Sequence, residues 1–347
     1  MDRYRITHQV VQGARPGQSL AVKQFFPQGP SPTGRPVTLL LAHATGFHKE
    51  LWEPLLEELP LSSADEVLNP PQPSTHISNI YWGSSKTATD HPRSWHIARI
   101  IAFDGWCHGD SAALNRSHLQ QKTSWLDNTR DILALIQQLS IDTALIGVGH
   151  SYGASSLLLT EIVKPGTFAA LLPVEPVIAF AGPRFLETSF ERVLSRKAQW
   201  RDIAEAHTYF TRHPFFRDWD PRVQALHVQH GLTSVPGTEA WQLKCHPKDE
   251  YEVFQGGFRD AVWLLSRLVE IGCPLRYLMG EESTICPNEQ FGQAHANASI
   301  RADVYIIKGS GHLLLMERPA LVASHLALFL THAMAFVPNG SPLKPQL

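Results

Sequence analysis

Short apolar runs bounded by turn residues alternate along this chain with segments whose apolar residues recur at helical spacing. That alternation predicts an α/β fold, a mainly parallel central sheet flanked by helices. Tyr4–Val11 and Ser19–Pro27 read as an opening hairpin, because Gln12-Gly13-Ala14-Arg15-Pro16-Gly17 between them is turn chemistry. Val37–His43, with leucine on both faces, reads as a buried strand. Ala98–Asp104, Thr143–Val148, Phe168–Val174, Pro274–Gly280 and Ala302–Lys308 continue the strand pattern. Helices are expected from about Lys49 to Leu59, over Thr123–Leu139, over Tyr152–Val163 and over Glu317–Met334.

Two stretches break the rhythm. Leu61–Trp95, with Asn69-Pro70-Pro71-Gln72-Pro73 inside it, is too long for an ordinary connection and reads as an insertion. From Ile178 to about Arg267 the residues turn aromatic and histidine-rich, interrupted by Pro214, Pro221, Pro236 and Pro247, which predicts an inserted helical lid. The expected organisation is therefore a core of residues 1–177 and 268–337, a lid of residues 178–267, and a flexible tail of residues 338–347.

Composition narrows the class. The 347 residues are 43% hydrophobic and 18% charged, enough for a sizeable core, which argues against disorder. A net charge of −2 without long charge runs argues against nucleic acid or an anionic membrane as partner. The four cysteines (Cys107, Cys245, Cys273, Cys286) form no C-x-x-C pair and read as free thiols. Met1–His8 lacks the apolar core of a secretory signal. Leu321–Val337, the richest apolar stretch, is interrupted by Ser324, His325, Thr331 and His332, so a packed core helix is expected rather than a transmembrane one. A soluble, cytoplasmic protein is the expectation.

The chemistry concentrates in Gly149-His150-Ser151-Tyr152-Gly153, a G-x-S-x-G motif between an apolar strand and a helix. Two glycines permit a sharp strand-to-helix turn that presents the serine hydroxyl. A serine needs a base to become a nucleophile, and histidine suits that task near neutral pH. With 18 histidines, position selects: His312, in Gly309-Ser310-Gly311-His312, follows the last expected strand at the same sheet edge. An oxyanion needs two preorganised N–H groups. Tyr152, after the nucleophile, and Thr45, in Leu41-Ala42-His43-Ala44-Thr45-Gly46-Phe47, are the candidates.

Taken in order, His43–Trp52, Phe103-Asp104, His108-Gly109-Asp110-Ser111-Ala112, Gly149–Gly153 and Gly311-His312 resemble the α/β-hydrolase superfamily. More narrowly they are similar to a fungal branch holding toxin- and polyketide-pathway hydrolases and a yeast peroxisomal lipase. The resemblance covers residues 20–335 and implies a Ser–His–acid hydrolase without cofactor, acting on a small hydrophobic ester, lactone or thioester. It also implies an acid after the Pro274–Gly280 strand in a Gly-x-x-Asp pattern, but this chain has Gly280-Glu281-Glu282-Ser283. A second known arrangement puts the acid after the preceding strand, where Glu175 stands. Glu175 is the preferred candidate, with Glu282 and Glu281 as alternatives. Phe47 and the lid residues Trp200, Phe210, Phe215, Phe216 and Trp219 are candidates for covering an apolar substrate. The terminal Lys344-Pro345-Gln346-Leu347 shares only Leu347 with a peroxisomal address, so that compartment stays open.

Other classes fare worse. No H-E-x-x-H appears, and His91 and His96 sit in the loose insertion, so neither a metal site nor a metal cofactor is expected. No G-x-G-x-x-G or P-loop follows a strand. Ser151 argues against the Asp-nucleophile epoxide hydrolases and dehalogenases. Two alternatives remain: a non-hydrolytic enzyme on the same scaffold, and a binding protein with a degenerate triad.

Overall fold

In the computed structural model, which describes residues 1–29, 33–65, 75–78, 94–117, 123–178, 191–285, 289–299 and 301–337, the apolar runs assemble into one large sheet. The chain opens with the antiparallel hairpin β1 (Tyr4–Gln12) and β2 (Ser19–Pro27). There follow β3 (Arg35–Ala42), α1 (Glu53–Glu58), β4 (Thr75–Ser78) and β5 (Trp95–Phe103). Next come α2 (Gly109–Leu114), α3 (Trp125–Gln138), β6 (Ala144–His150), α4 (Tyr152–Val163) and β7 (Ala170–Val174). Then the chain runs through β8 (Gln199–Trp200), α5 (Ile203–Arg212), α6 (Pro221–His230), β9 (Leu232–Ser234), β10 (Trp241–Leu243) and α7 (Pro247–Arg267). It closes with β11 (Leu275–Gly280), α8 (Glu289–Ala298), β12 (Ala302–Ile307), α9 (Leu314–Glu317) and α10 (Pro319–Phe336).

The sheet order is β1-β2-β5-β3-β6-β7-β11-β12-β4. From β5 to β12 neighbouring strands run parallel, so their carboxyl ends share one edge. Period-two alternation sends each strand's side chains into two separate cores. On β3, Val37, Leu39 and Leu41 join one core with Leu55, Leu56, Val322, Leu326 and Phe329. Leu40 and Ala42 join the other with Ile132, Leu135, Leu157, Leu158 and Leu264. Helix α10 is long and apolar enough to cross a membrane by length and composition, with a mean hydropathy of 1.5. Its Val322, Leu326, Phe329, Leu330 and Met334 are instead buried in the first core.

Several elements differ from the sequence expectation. The helix expected from Lys49 begins as a 3-10 turn (Lys49–Trp52), and α1 follows with Pro54 in its first turn, where a missing N–H costs nothing. Within Leu61–Trp95, Thr75–Ser78 is a strand antiparallel to β12; residues 66–74 and 79–93, with His91, lie outside the described residues. The stretch read as a helical lid also contains a three-stranded antiparallel sheet, β8-β10-β9, whose strands of two or three residues are too short to show a period. Helix α7 packs on α3 and α4 rather than standing apart from them. Residues 179–190, Cys286 and the tail 338–347 lie outside the described residues.

Candidate active site

The carboxyl edge of β6, β7, β11 and β12 gathers the chemistry. Ser151 caps α4 in a left-handed conformation, φ 53° and ψ −118°, that a side-chain-bearing residue adopts only when its surroundings impose it. The flanking glycines let the turn close. A Cβ on Gly153 would lie 2.2 Å from the Ala42 carbonyl oxygen, and one on Gly149 would lie 2.6 Å from the Ala154 backbone. The Ser151 amide donates to the Val174 carbonyl at 2.9 Å, which ties the turn to the tip of β7.

One residue beyond that tip stands Glu175, also at positive φ (48°) and fully buried. The His312 imidazole lies between the two: Nε2 is 3.0 Å from Ser151 Oγ and Nδ1 is 2.9 Å from Glu175 Oε2. Two further donors hold the carboxylate, the Gly280 amide to Oε1 at 2.6 Å and the Ser283 hydroxyl to Oε2 at 2.5 Å. Ser283 thus stands where the resemblance placed an acid, and it donates to the acid reaching in from the next strand. Glu281 and Glu282 are exposed. Their amides donate to Ile307 and Ser310 carbonyls, and the Glu281 carboxylate accepts from the Gly309 amide, so neither joins His312.

The other wall is the loop after β3. Neither the Tyr152 nor the Thr45 amide has an acceptor among the described residues, and the Thr45 hydroxyl is buried without a partner. His43 braces this loop: its Nδ1–H donates to the Ala44 carbonyl and its Nε2 accepts from the Gly105 amide. Burial drives its pKa down to about 4, against the smaller opposing effect of the Ala44 hydrogen bond, so it is neutral near pH 7. Gly46 is at φ 82°, and a Cβ there would lie 2.5 Å from Glu250 Oε1. Glu250, at the start of α7, pairs with Arg196; burial pushes its carboxyl up, against the pull of Arg196.

Beneath the loop, Lys49 Nζ meets Asp104 Oδ2 at 2.7 Å, Asp110 Oδ2 at 2.6 Å and Glu50 Oε1 at 2.9 Å. Burial opposes its charge, but Asp104, Glu50 and Asp110 outweigh that and hold the ammonium above the ordinary lysine range. Lys244, after β10, reaches Asp110 Oδ1 at 2.6 Å.

The apolar candidates pack mainly on one another. Phe47 meets Trp219 edge-on at 5.5 Å, Phe216 meets Phe210 at 4.9 Å and Trp219 at 5.0 Å, and Trp200 meets Phe210 at 5.1 Å. Phe215 points outward, 54% exposed. Among the described residues no group of three or more His, Cys, Asp or Glu side chains could hold a metal ion.

A family model described as the alpha/beta hydrolase family matches residues 39–325. The type I acyl-CoA thioesterase mpaH' of Penicillium brevicompactum is 26% identical over 198 residues, 52% of this chain and 39% of that protein. The chain therefore spans well under half the length of that relative. The peroxisomal membrane protein LPX1 of Saccharomyces cerevisiae is 24% identical over 342 residues, 91% of this chain and 81% of that protein. Among solved structures, the peroxisomal alpha-beta-hydrolase Lpx1 from the same yeast superposes with a TM-score of 0.78 at 18% identity, covering 100% of this chain and 94% of that one.

Proposed function

This chain belongs to the alpha/beta hydrolase family, and from that premise we propose that it is a cofactor-free serine hydrolase of small hydrophobic esters, lactones or thioesters. One observation carries the reading: the unbroken line from Ser151 Oγ through the His312 ring to the buried Glu175 carboxylate. In the proposed reaction Ser151 Oγ attacks the acyl carbon while His312 Nε2 takes its proton, and Glu175 stabilises the imidazolium. The carbonyl electrons move onto the oxygen, which the Tyr152 and Thr45 amides receive. Collapse expels the leaving group, protonated by His312, and water activated by the same ring releases the acid and regenerates Ser151.

The acyl-CoA thioesterase name of the Penicillium relative supports including thioesters. In this proposal residues 178–267 act as a lid, held together by the packing of Trp200, Phe210, Phe216 and Trp219 and resting on Phe47 through Trp219. Intact-mass analysis after treatment with a fluorophosphonate tests the reading. One adduct per chain, absent in Ser151→Ala, is the expected result. A folded wild-type chain that takes up no adduct would refute it.

A further inference from the structure

The residue before the nucleophile is buried, titratable and unused by the proposed reaction. His150 ends β6, pairs in register with Val174 of β7, and is 0% exposed. Its Nε2 lies 2.8 Å from the main-chain carbonyl oxygen of His312. A carbonyl only accepts, so Nε2 carries the hydrogen. Nδ1 is buried without a partner among the described residues, and the two rings sit 5.4 Å apart.

We infer that His150 is a positioning residue, a clamp that holds the His312 main chain so that the imidazole reaches Ser151; the inference rests on the serine-hydrolase reading above. The His312 loop has few other ties near the ring. The Gly311 amide donates to Glu317 Oε2 at 3.0 Å, and the Ser310 carbonyl accepts from the Glu282 amide at 2.9 Å. Gly280 lets the loop lie low over β11, since a Cβ there would be 2.5 Å from the Ser310 and Gly311 carbonyl oxygens. None of these acts on His312 itself. Glu175 holds the ring through Nδ1, and His150 holds the backbone that carries it. Two anchors on opposite sides of Cα define where Nε2 points; one alone leaves the ring free to swing about the other.

The clamp has to keep its hydrogen on Nε2 throughout the proposed proton transfers, without placing a second positive charge beside the His312 ring. Burial lowers the His150 pKa to about 3, and the facing His312 and His43 rings push the same way, against the hydrogen bond to the His312 carbonyl. It therefore remains neutral and keeps its single hydrogen on Nε2 while His312 gains and loses a proton.

The test compares His150→Leu, which removes the donor, with His150→Gln, whose amide restores a donor at similar reach. The readouts are the rate of Ser151 modification by fluorophosphonate and the kcat–KM split on an activated ester. A misplacement near 1 Å costs roughly 100-fold. His150→Leu should therefore slow modification and kcat by about that factor with KM unchanged, and His150→Gln should recover to within about tenfold. Equal losses in the two variants, tracking their melting temperatures, would reduce His150 to a packing residue. A wild-type rate in folded His150→Leu would overturn the clamp while leaving the triad reading intact. A wild type that does not label at all would instead refute the triad reading. One measurement is independent of turnover: histidine-ring nitrogen NMR of the wild type should assign His150 the Nε2–H tautomer at pH 7, and the Nδ1–H tautomer would sink the clamp.

Discussion

Replacing Glu175 by Gln tests the proposed acid at almost constant volume. The carboxylate receives three donors: the Gly280 amide, the Ser283 hydroxyl and His312 Nδ1–H. Its two oxygens satisfy all three with no donor of their own. A Gln amide keeps an oxygen on one side only, so its NH2 group faces either the Gly280 amide alone or Ser283 and His312 together. Ser283 can rotate its hydroxyl to accept, but the Gly280 amide cannot. If the NH2 faces His312, the ring must accept at Nδ1, which moves its hydrogen to Nε2, and the base is then in the wrong tautomer for Ser151. If the NH2 faces Gly280, two buried donors oppose each other. Stability should fall by about 1–3 kcal/mol, the cost of one buried unsatisfied group. Turnover should fall by about 10⁴-fold, the effect of the corresponding Asp-to-Asn change in the serine-protease triad. The assay is kcat/KM on an activated ester alongside thermal unfolding, with Glu282→Gln as the control that should change neither. Retention of more than a tenth of wild-type turnover in folded Glu175→Gln would refute the reasoning, most sharply if Glu282→Gln lost activity instead.

Two further predictions follow from buried groups. His43 and His150 have pKa values lowered to about 4 and about 3, so between those values and the ordinary 6.5 the unfolded chain binds protons that the folded chain refuses. Their contribution is complete above pH 6.5 and drains as pH falls, about 2 kcal/mol each at pH 5, against the opposite effect of the buried Asp131 and Glu161 carboxyls, raised to about 7. His150→Gln should therefore lose about 2 kcal/mol less than wild type in urea unfolding between pH 8 and pH 5, and an identical pH dependence would contradict the burial of a neutral ring. Gly46→Ala forces a side chain into φ 82° and against Glu250, whereas Gly237→Ala meets φ 75° with nothing within 4 Å of the new Cβ. The first should therefore lose about 1–3 kcal/mol and much of the turnover, the second less and none; equal losses would mean that the Glu250 contact is irrelevant.

Much of the architecture was legible because a parallel sheet leaves continuous apolar runs, and β3, β5, β6, β7, β11 and β12 lie within a few residues of those runs, whereas the edge strand β4 and the short β8, β9 and β10 left none to read. Ser151 and His312 were visible for a related reason: each follows a recognisable strand and sits beside glycine, so its place at the sheet edge is a matter of topology. The three glutamates were harder. Glu175, Glu281 and Glu282 all stand near strand tips with their amides bound to neighbouring carbonyls, and what separates them is direction: Glu175, at φ 48°, is fully buried, while Glu281 and Glu282 are exposed. No single sequence displays such a dihedral angle. His150 was invisible as anything but a filler position in the motif, because its partner is a main-chain oxygen 162 residues away. Phe215 and Phe216, adjacent in a 3-10 turn, face opposite environments that their identical side chains cannot distinguish.

The sheet order has a consequence for synthesis. Ser151 is synthesised before the loop carrying His312, and that loop follows β12, which lies in the sheet between β11 and β4. A nascent chain that has paired β1, β2, β5, β3 and β6 therefore displays the serine turn with no His312 beside it, while β4 waits for β12. On the serine-hydrolase reading proposed above, a fragment that stops before β12 carries Ser151 without its base. Such a fragment should take up no fluorophosphonate at Ser151.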